Sequence, residues 1–179
     1  MNKTVFYGDS ITNRFVLLKQ NKNVVNLGVG GDKTTELIGR VLDVIREKPN
    51  KLFIMVGVND YLVKKAYWQE FFNINFEVTY NALITLLTDN LRNTSFTLLS
   101  ILPVSMNKPF DTLVLYNKEL DEINKYISEI ASKYNLNYLD ISNSFKDKNN
   151  FLNPQYTEDG VHLNNLGYEV YYNLIKDLI

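Results

Sequence analysis

Five short runs of β-branched and apolar residues punctuate the chain: Thr4 to Tyr7, Val24 to Leu27, Leu52 to Val56, Phe96 to Leu102 and Tyr138 to Ile141. Each is continuous rather than alternating, the pattern of a strand covered on both faces. Between them apolar residues recur at helical spacing. Leu37, Val41, Val44 and Ile45 form one such set, Leu83, Leu86, Leu87 and Leu91 a second, and Tyr116, Leu120, Ile123, Ile127 and Ile130 a third. A last set, Leu166, Val170, Leu174 and Leu178, steps by four and predicts a helix with that row turned inward. Thr34, Thr35 and Glu36 suit a helix opening, and Pro49 suits a stop before the third strand.

Strand and helix therefore alternate throughout. Parallel neighbours need crossover connections, so this order predicts an α/β fold: a three-layer α/β/α sandwich around a five-stranded parallel sheet. The expected strand order is the flavodoxin-like 2-1-3-4-5. No repeat, linker or low-complexity tract divides residues 1–179, which read as one domain. The least regular stretch is 61–75, where Tyr61, Tyr67, Trp68, Phe71 and Phe72 crowd together without a clean period.

Composition narrows the chemistry. With 179 residues, 45% of them hydrophobic and 22% charged, the chain can bury a sizeable core. Nineteen basic against twenty acidic residues, with no basic block, argue against nucleic acid as a partner. No cysteine is present, so disulfides, thiolate nucleophiles and cysteine zinc sites are excluded. The single histidine, His162, rules out a multi-histidine metal site, and no metal or other cofactor is expected. No run of about 20 apolar residues suggests a membrane span. The N-terminal run also lacks the length and cleavage site of a signal peptide, so a cytoplasmic location is expected. The sequence is silent on oligomeric state, and a homo-oligomer stays open.

In open parallel sheets, ligands gather beyond the carboxyl ends of the strands, so the residues just after each strand carry the most information. Gly8-Asp9-Ser10-Ile11-Thr12 follows the first, Asn26-Leu27-Gly28-Val29-Gly30-Gly31-Asp32 the second and Gly57-Val58-Asn59-Asp60 the third. Asp159-Gly160-Val161-His162 stands beyond the fifth. A serine at a strand-to-helix turn lies near backbone N–H groups that stabilise negative charge. It becomes a nucleophile only with a base, and His162 is the one imidazole available. Asp159, three residues earlier on a glycine turn, is placed to orient that ring. Gly31 can offer a backbone N–H, and Asn59 a side-chain amide, to an oxyanion.

The blocks GDSIT (8–12), NLGVGGD (26–32), GVND (57–60) and DGVHLN (159–164) resemble, in order and spacing, the four signatures of the SGNH hydrolases, also called the GDSL lipase/acylhydrolase family. The resemblance covers nearly the whole chain. It implies a serine esterase acting on a small-molecule ester, with Ser10 as nucleophile and oxyanion donor. Gly31 and Asn59 are implied as the other donors, and His162 and Asp159 as the rest of the triad. Gly30 stands where many relatives carry serine and Lys33 where they carry threonine, which leaves open a donor role for Gly28 or Gly30. Asp9, Trp68, Phe71 and Phe72 are expected to contact substrate; the aromatic segment 61–75 is a candidate wall or lid of the acyl pocket, and 106–111 a second candidate wall. The family's substrates range over short acyl esters, acetylated sugars, lysophospholipids and thioesters.

Two other readings compete. The stretch from Gly28 to Thr34 superficially suggests a nucleotide-binding loop, but Asp32 sits where a phosphate loop needs glycine before the lysine, and its carboxylate would repel phosphate. A catalytically silent binding module on the same fold is the other. An α/β-hydrolase is disfavoured by the absence of GxSxG around Ser10.

Overall fold

The computed structural model describes residues 2–64, 75–105 and 111–179. Five strands, β1 (Thr4–Gly8), β2 (Val24–Gly28), β3 (Lys51–Met55), β4 (Ser95–Leu99) and β5 (Asn137–Leu139), form one sheet in the order 2-1-3-4-5. Every pairing is parallel, with Tyr7 opposite both Leu27 and Ile54 and Leu98 opposite Tyr138. The expected α/β topology is therefore present.

Among the described residues seven α-helices flank the sheet: α1 (Ser10–Asn13), α2 (Thr34–Gly39), α3 (Val41–Glu47), α4 (Val58–Lys64), α5 (Phe76–Asn90), α6 (Asp111–Lys133) and α7 (Asn165–Ile175). Crossovers of one hand place α1 and α7 on one face and the longer connections on the other. Accordingly α5 packs on α2 and α3, whereas α7 packs on the 3-10 turn Val16–Gln20 that follows α1. Beneath α7 runs an aromatic column: Phe53 stacks on Phe6 at 4.7 Å, Phe6 meets Phe15 edge-on, and Phe15 lies 4.4 Å from Tyr171. Such pairs add about 0.5–1.5 kcal/mol each beyond area burial.

Three details differ from the pattern-based expectation. Only β1, β3 and β4 are covered on both faces. The edge strands β2 and β5 are half-buried for most of their length, since each lacks a neighbour on one side. The helix expected from Thr34 to Pro49 breaks at Arg40, which ends α2 and begins α3. The third difference concerns α7. Its buried face is Gly167, Tyr168, Tyr171 and Ile175, while Leu166, Leu174 and Leu178 are 46%, 37% and 43% exposed. Tyrosine rings outcompete the leucine row because Tyr168 buries its body while its hydroxyl donates to the Ile11 carbonyl at 2.8 Å.

Candidate active site

Beyond the carboxyl edge of the sheet, β1 runs straight into α1. Asp9 is the N-cap: its Oδ1 accepts the Ile11 N–H at 2.9 Å, which fixes the first turn and with it Ser10. Two amides brace that turn against β2. Asn13 Nδ2 donates to the Gly28 carbonyl at 2.8 Å and Asn26 Nδ2 to the Thr12 carbonyl at 2.7 Å. A four-residue helix would not hold its shape alone, so these bonds and the Tyr168 hydroxyl set the direction of Ser10.

From the far end of the chain comes the loop carrying Asp159 and His162. It is anchored where Ser105 N–H donates to the Gly160 carbonyl at 2.7 Å, and closed by a bridge between Thr157 and Leu163. Within it Asp159 Oδ1 accepts the backbone N–H groups of Val161 and His162 at 2.9 and 2.8 Å. That leaves Oδ2 for the imidazole Nδ1, 2.6 Å away, and the other ring nitrogen, Nε2, stands 3.0 Å from Ser10 Oγ. Residues separated by more than 140 positions thus form one continuous hydrogen-bonded line. Partial burial alone would raise the Asp159 pKa, but the hydrogen bonds from the His162 ring and the two backbone N–H groups outweigh it and bring the carboxyl down to about 2. The carboxylate is therefore anionic wherever an imidazole would act as a base.

Facing this arm are the loops after β2 and β3. Gly31 takes a positive φ of 84°, which a side chain would strain, and is exposed. Asn59 lies in the first turn of α4, with its Nδ2 donating one hydrogen to the Asp32 carbonyl at 2.9 Å. An amide nitrogen carries two hydrogens, so one is left for a ligand. Gly28 has no N–H to offer a ligand, because it is taken by Asn26 Oδ1 at 2.8 Å.

Asp9, expected to meet substrate, is 1% exposed and faces a small cavity of about 10 Å³ lined mainly by Ile11, Met55, Val58, Val104 and Val161. Its Oδ2 has no partner among the described residues. Burial, partly opposed by the Ile11 N–H and reinforced by the Asp60 and Asp32 charges, pushes its carboxyl up to about 7. Trp68, Phe71 and Phe72 lie outside the described residues, as do positions 106–110 of the second candidate wall.

Two further carboxylates at this edge have structural partners that the sequence pattern does not show. Asp60 accepts from the Thr34 N–H and, at 2.6 Å, the Thr34 hydroxyl, and so ties α4 to the start of α2. Burial lifts its pKa to about 6 against the pull of those Thr34 bonds. Asp32 is held by Arg40 at 2.6 Å, so the carboxylate that disfavours phosphate in this loop is part of a built ion pair. Among the described residues no cluster of His, Asp or Glu is arranged to hold a metal ion, and no helix is long and apolar enough to cross a membrane.

A serine-bearing turn after β1, a positive-φ glycine and an asparagine after β2 and β3, and a late Asp-His loop hydrogen-bonded to that serine on a 2-1-3-4-5 sheet form the arrangement of a hydrolase-type α/β class. The model of the GDSL-like Lipase/Acylhydrolase family matches residues 6–170, and the chain belongs to that family. Among solved structures it resembles a candidate acylhydrolase from Bacteroides fragilis, with 24% identity, a TM-score of 0.83, and 98% of this chain and 85% of that one covered. An acetyl xylan esterase, AlAXEase, matches at 22% identity and a TM-score of 0.78 over 99% of this chain and all of its own. The acetylxylan esterase Axe2 from Geobacillus stearothermophilus matches at 21% identity and a TM-score of 0.76, covering 98% and 93%. These likenesses establish the SGNH hydrolase fold. No curated protein matches the chain at a significant level.

Proposed function

We propose that the protein is a serine esterase that cleaves carboxylic esters of short acyl groups, acetyl foremost, through an acyl-Ser10 intermediate. The observation that carries this reading is the line from Asp159 through His162 to Ser10, with spacings of 2.6 and 3.0 Å. His162 Nε2 takes the Ser10 hydroxyl proton as Oγ bonds to the ester carbonyl carbon, and the electron pair of the carbonyl moves onto its oxygen. The backbone N–H groups of Ser10 and Gly31 and the free amide hydrogen of Asn59 receive that oxyanion. On collapse the alcohol leaves with the proton from His162. Water then attacks the acyl group with His162 again as base, releasing the acid and restoring Ser10.

The preference for acetyl draws on the family and on the two acetylxylan esterases among its structural relatives. The test is a chain-length series of p-nitrophenyl esters run beside an acetylated sugar, a lysophospholipid and an acyl thioester, with the Ser10→Ala protein as control. Rates that peak at acetate and vanish in the control are the expected result. Rates that rise with chain length would overturn the acetyl preference and indicate a lipid or thioester groove. No hydrolysis above control with any substrate would leave a silent binding module.

A further inference from the structure

Every oxyanion donor assigned above comes from a different strand end, so something must hold the three ends in register. One side chain bonded to two of those strand ends at once is Arg40, at the break between α2 and α3. Its Nε donates to Asp32 Oδ2 at 2.6 Å, its Nη1 to the Leu27 carbonyl at 2.7 Å and its Nη2 to the Gly8 carbonyl at 3.0 Å. The guanidinium carbon lies 4.5 Å from the centre of the Tyr7 ring. Gly8 is two residues before Ser10, Leu27 is the penultimate residue of β2, and Asp32 directly follows Gly31. Asp32 in turn offers its own carbonyl to Asn59 Nδ2 at 2.9 Å.

We infer that Arg40 is a positioning residue for the oxyanion hole, acting through Asp32. Resting on the proposed ester hydrolysis, this assigns one side chain to the alignment of all three donors. The fork geometry matters as much as the charge. A guanidinium reaches three acceptors in fixed directions, whereas an ammonium is a point charge on a flexible stem. With side chains 19% and 10% exposed, the Arg40–Asp32 pair is shielded enough that its geometry is not given over to solvent. Loosening it frees the Gly31 turn and the carbonyl that orients Asn59, and donors displaced by a fraction of an ångström lose much of their worth to a developing oxyanion.

The experiment is a double-mutant cycle on p-nitrophenyl acetate with parent, Arg40→Lys, Asn59→Ala and the combined protein, alongside Asp32→Asn, which keeps the backbone carbonyl but breaks the ion pair. Arg40→Lys and Asp32→Asn are expected to lower kcat about 10- to 100-fold with KM changed less than about threefold. In the Asn59→Ala background the Arg40→Lys effect should fall clearly below its effect in the parent, because one of the donors it positions is already gone. A merely structural residue would instead give factors that multiply in full, or a loss of folded protein at unchanged kcat. Full multiplication, or parent-like kcat in folded Asp32→Asn, would overturn the inference. A parent no faster than Ser10→Ala would instead overturn the esterase reading on which it rests.

Discussion

His162 and Asp159 ride on a surface loop and are 21% and 41% exposed, whereas across the sheet edge Arg40 and Asp32 are 19% and 10% exposed and bonded to the ends of two strands. On the proposed mechanism the proton-moving arm is a short relay attached to the fold at few points, and the donor arm is part of the fold. A base must change its protonation and its partner during turnover, so a local, self-contained hydrogen-bond set suits it. Donors for an oxyanion act by not moving, so they are wired into the backbone. Substitutions on the first arm should alter rate with little effect on stability, and substitutions on the second should alter both.

The largest effect expected is from Ser10→Ala, a fall in kcat on the order of 10⁴- to 10⁶-fold with an unchanged melting temperature, read by p-nitrophenyl acetate turnover and thermal unfolding. Asp159→Asn should follow, at about 10²- to 10⁴-fold, since the ring loses its orienting anion. Its exposure should keep the accompanying change in Tm small. A large drop in Tm would break the comparison by showing that the relay is structural. Asn59→Ala is expected to lower kcat by about 10²- to 10³-fold, with a visible loss of stability because the Asp32 carbonyl is left without its amide partner.

The smallest effect on rate, and the clearest on stability, belongs to Asp9→Asn. The buried carboxyl holds its proton up to about pH 7, against an ordinary value of 3.8. Between those values the folded chain binds more protons than the unfolded one, so stability falls as pH rises from about 4 to 7 and then levels off. Asparagine cannot ionise and still offers Oδ1 to the Ile11 N–H. The variant should therefore gain on the parent as pH rises, by at most about 4 kcal/mol at pH 8. Thermal unfolding at pH 5 and pH 8 checks it, and a gain that is no larger at pH 8 would contradict the burial argument.

Three of the four loops at the sheet edge were legible because strand runs announce their own ends and the chemistry falls immediately after them, while the Asp159–His162 loop, well past β5, stood out by its Asp-Gly-Val-His pattern. Gly31, Asn59, Asp159 and His162 could be placed on one edge from topology alone. The inner face of α7 was not legible, since counting Leu166, Leu174 and Leu178 as core ignores that Tyr168 and Tyr171 carry larger apolar bodies. Nor was Arg40. Its partners Gly8, Leu27 and Asp32 lie 32, 13 and 8 positions away, so nothing in the local sequence around it marks its role. Asp9 next to Ser10 suggests a substrate contact, but the N-cap bond to Ile11 folds its side chain over the helix start and buries it in the interior.

The central claim is covalent catalysis at Ser10, and intact-mass measurement of the protein quenched in acid during turnover of p-nitrophenyl acetate tests it most directly. The account expects a population heavier by one acetyl group, localised by peptide mapping to the Ser10 peptide and missing from Ser10→Ala. Acetyl on another residue, or a Ser10→Ala protein that still turns over at the parent rate, would contradict it.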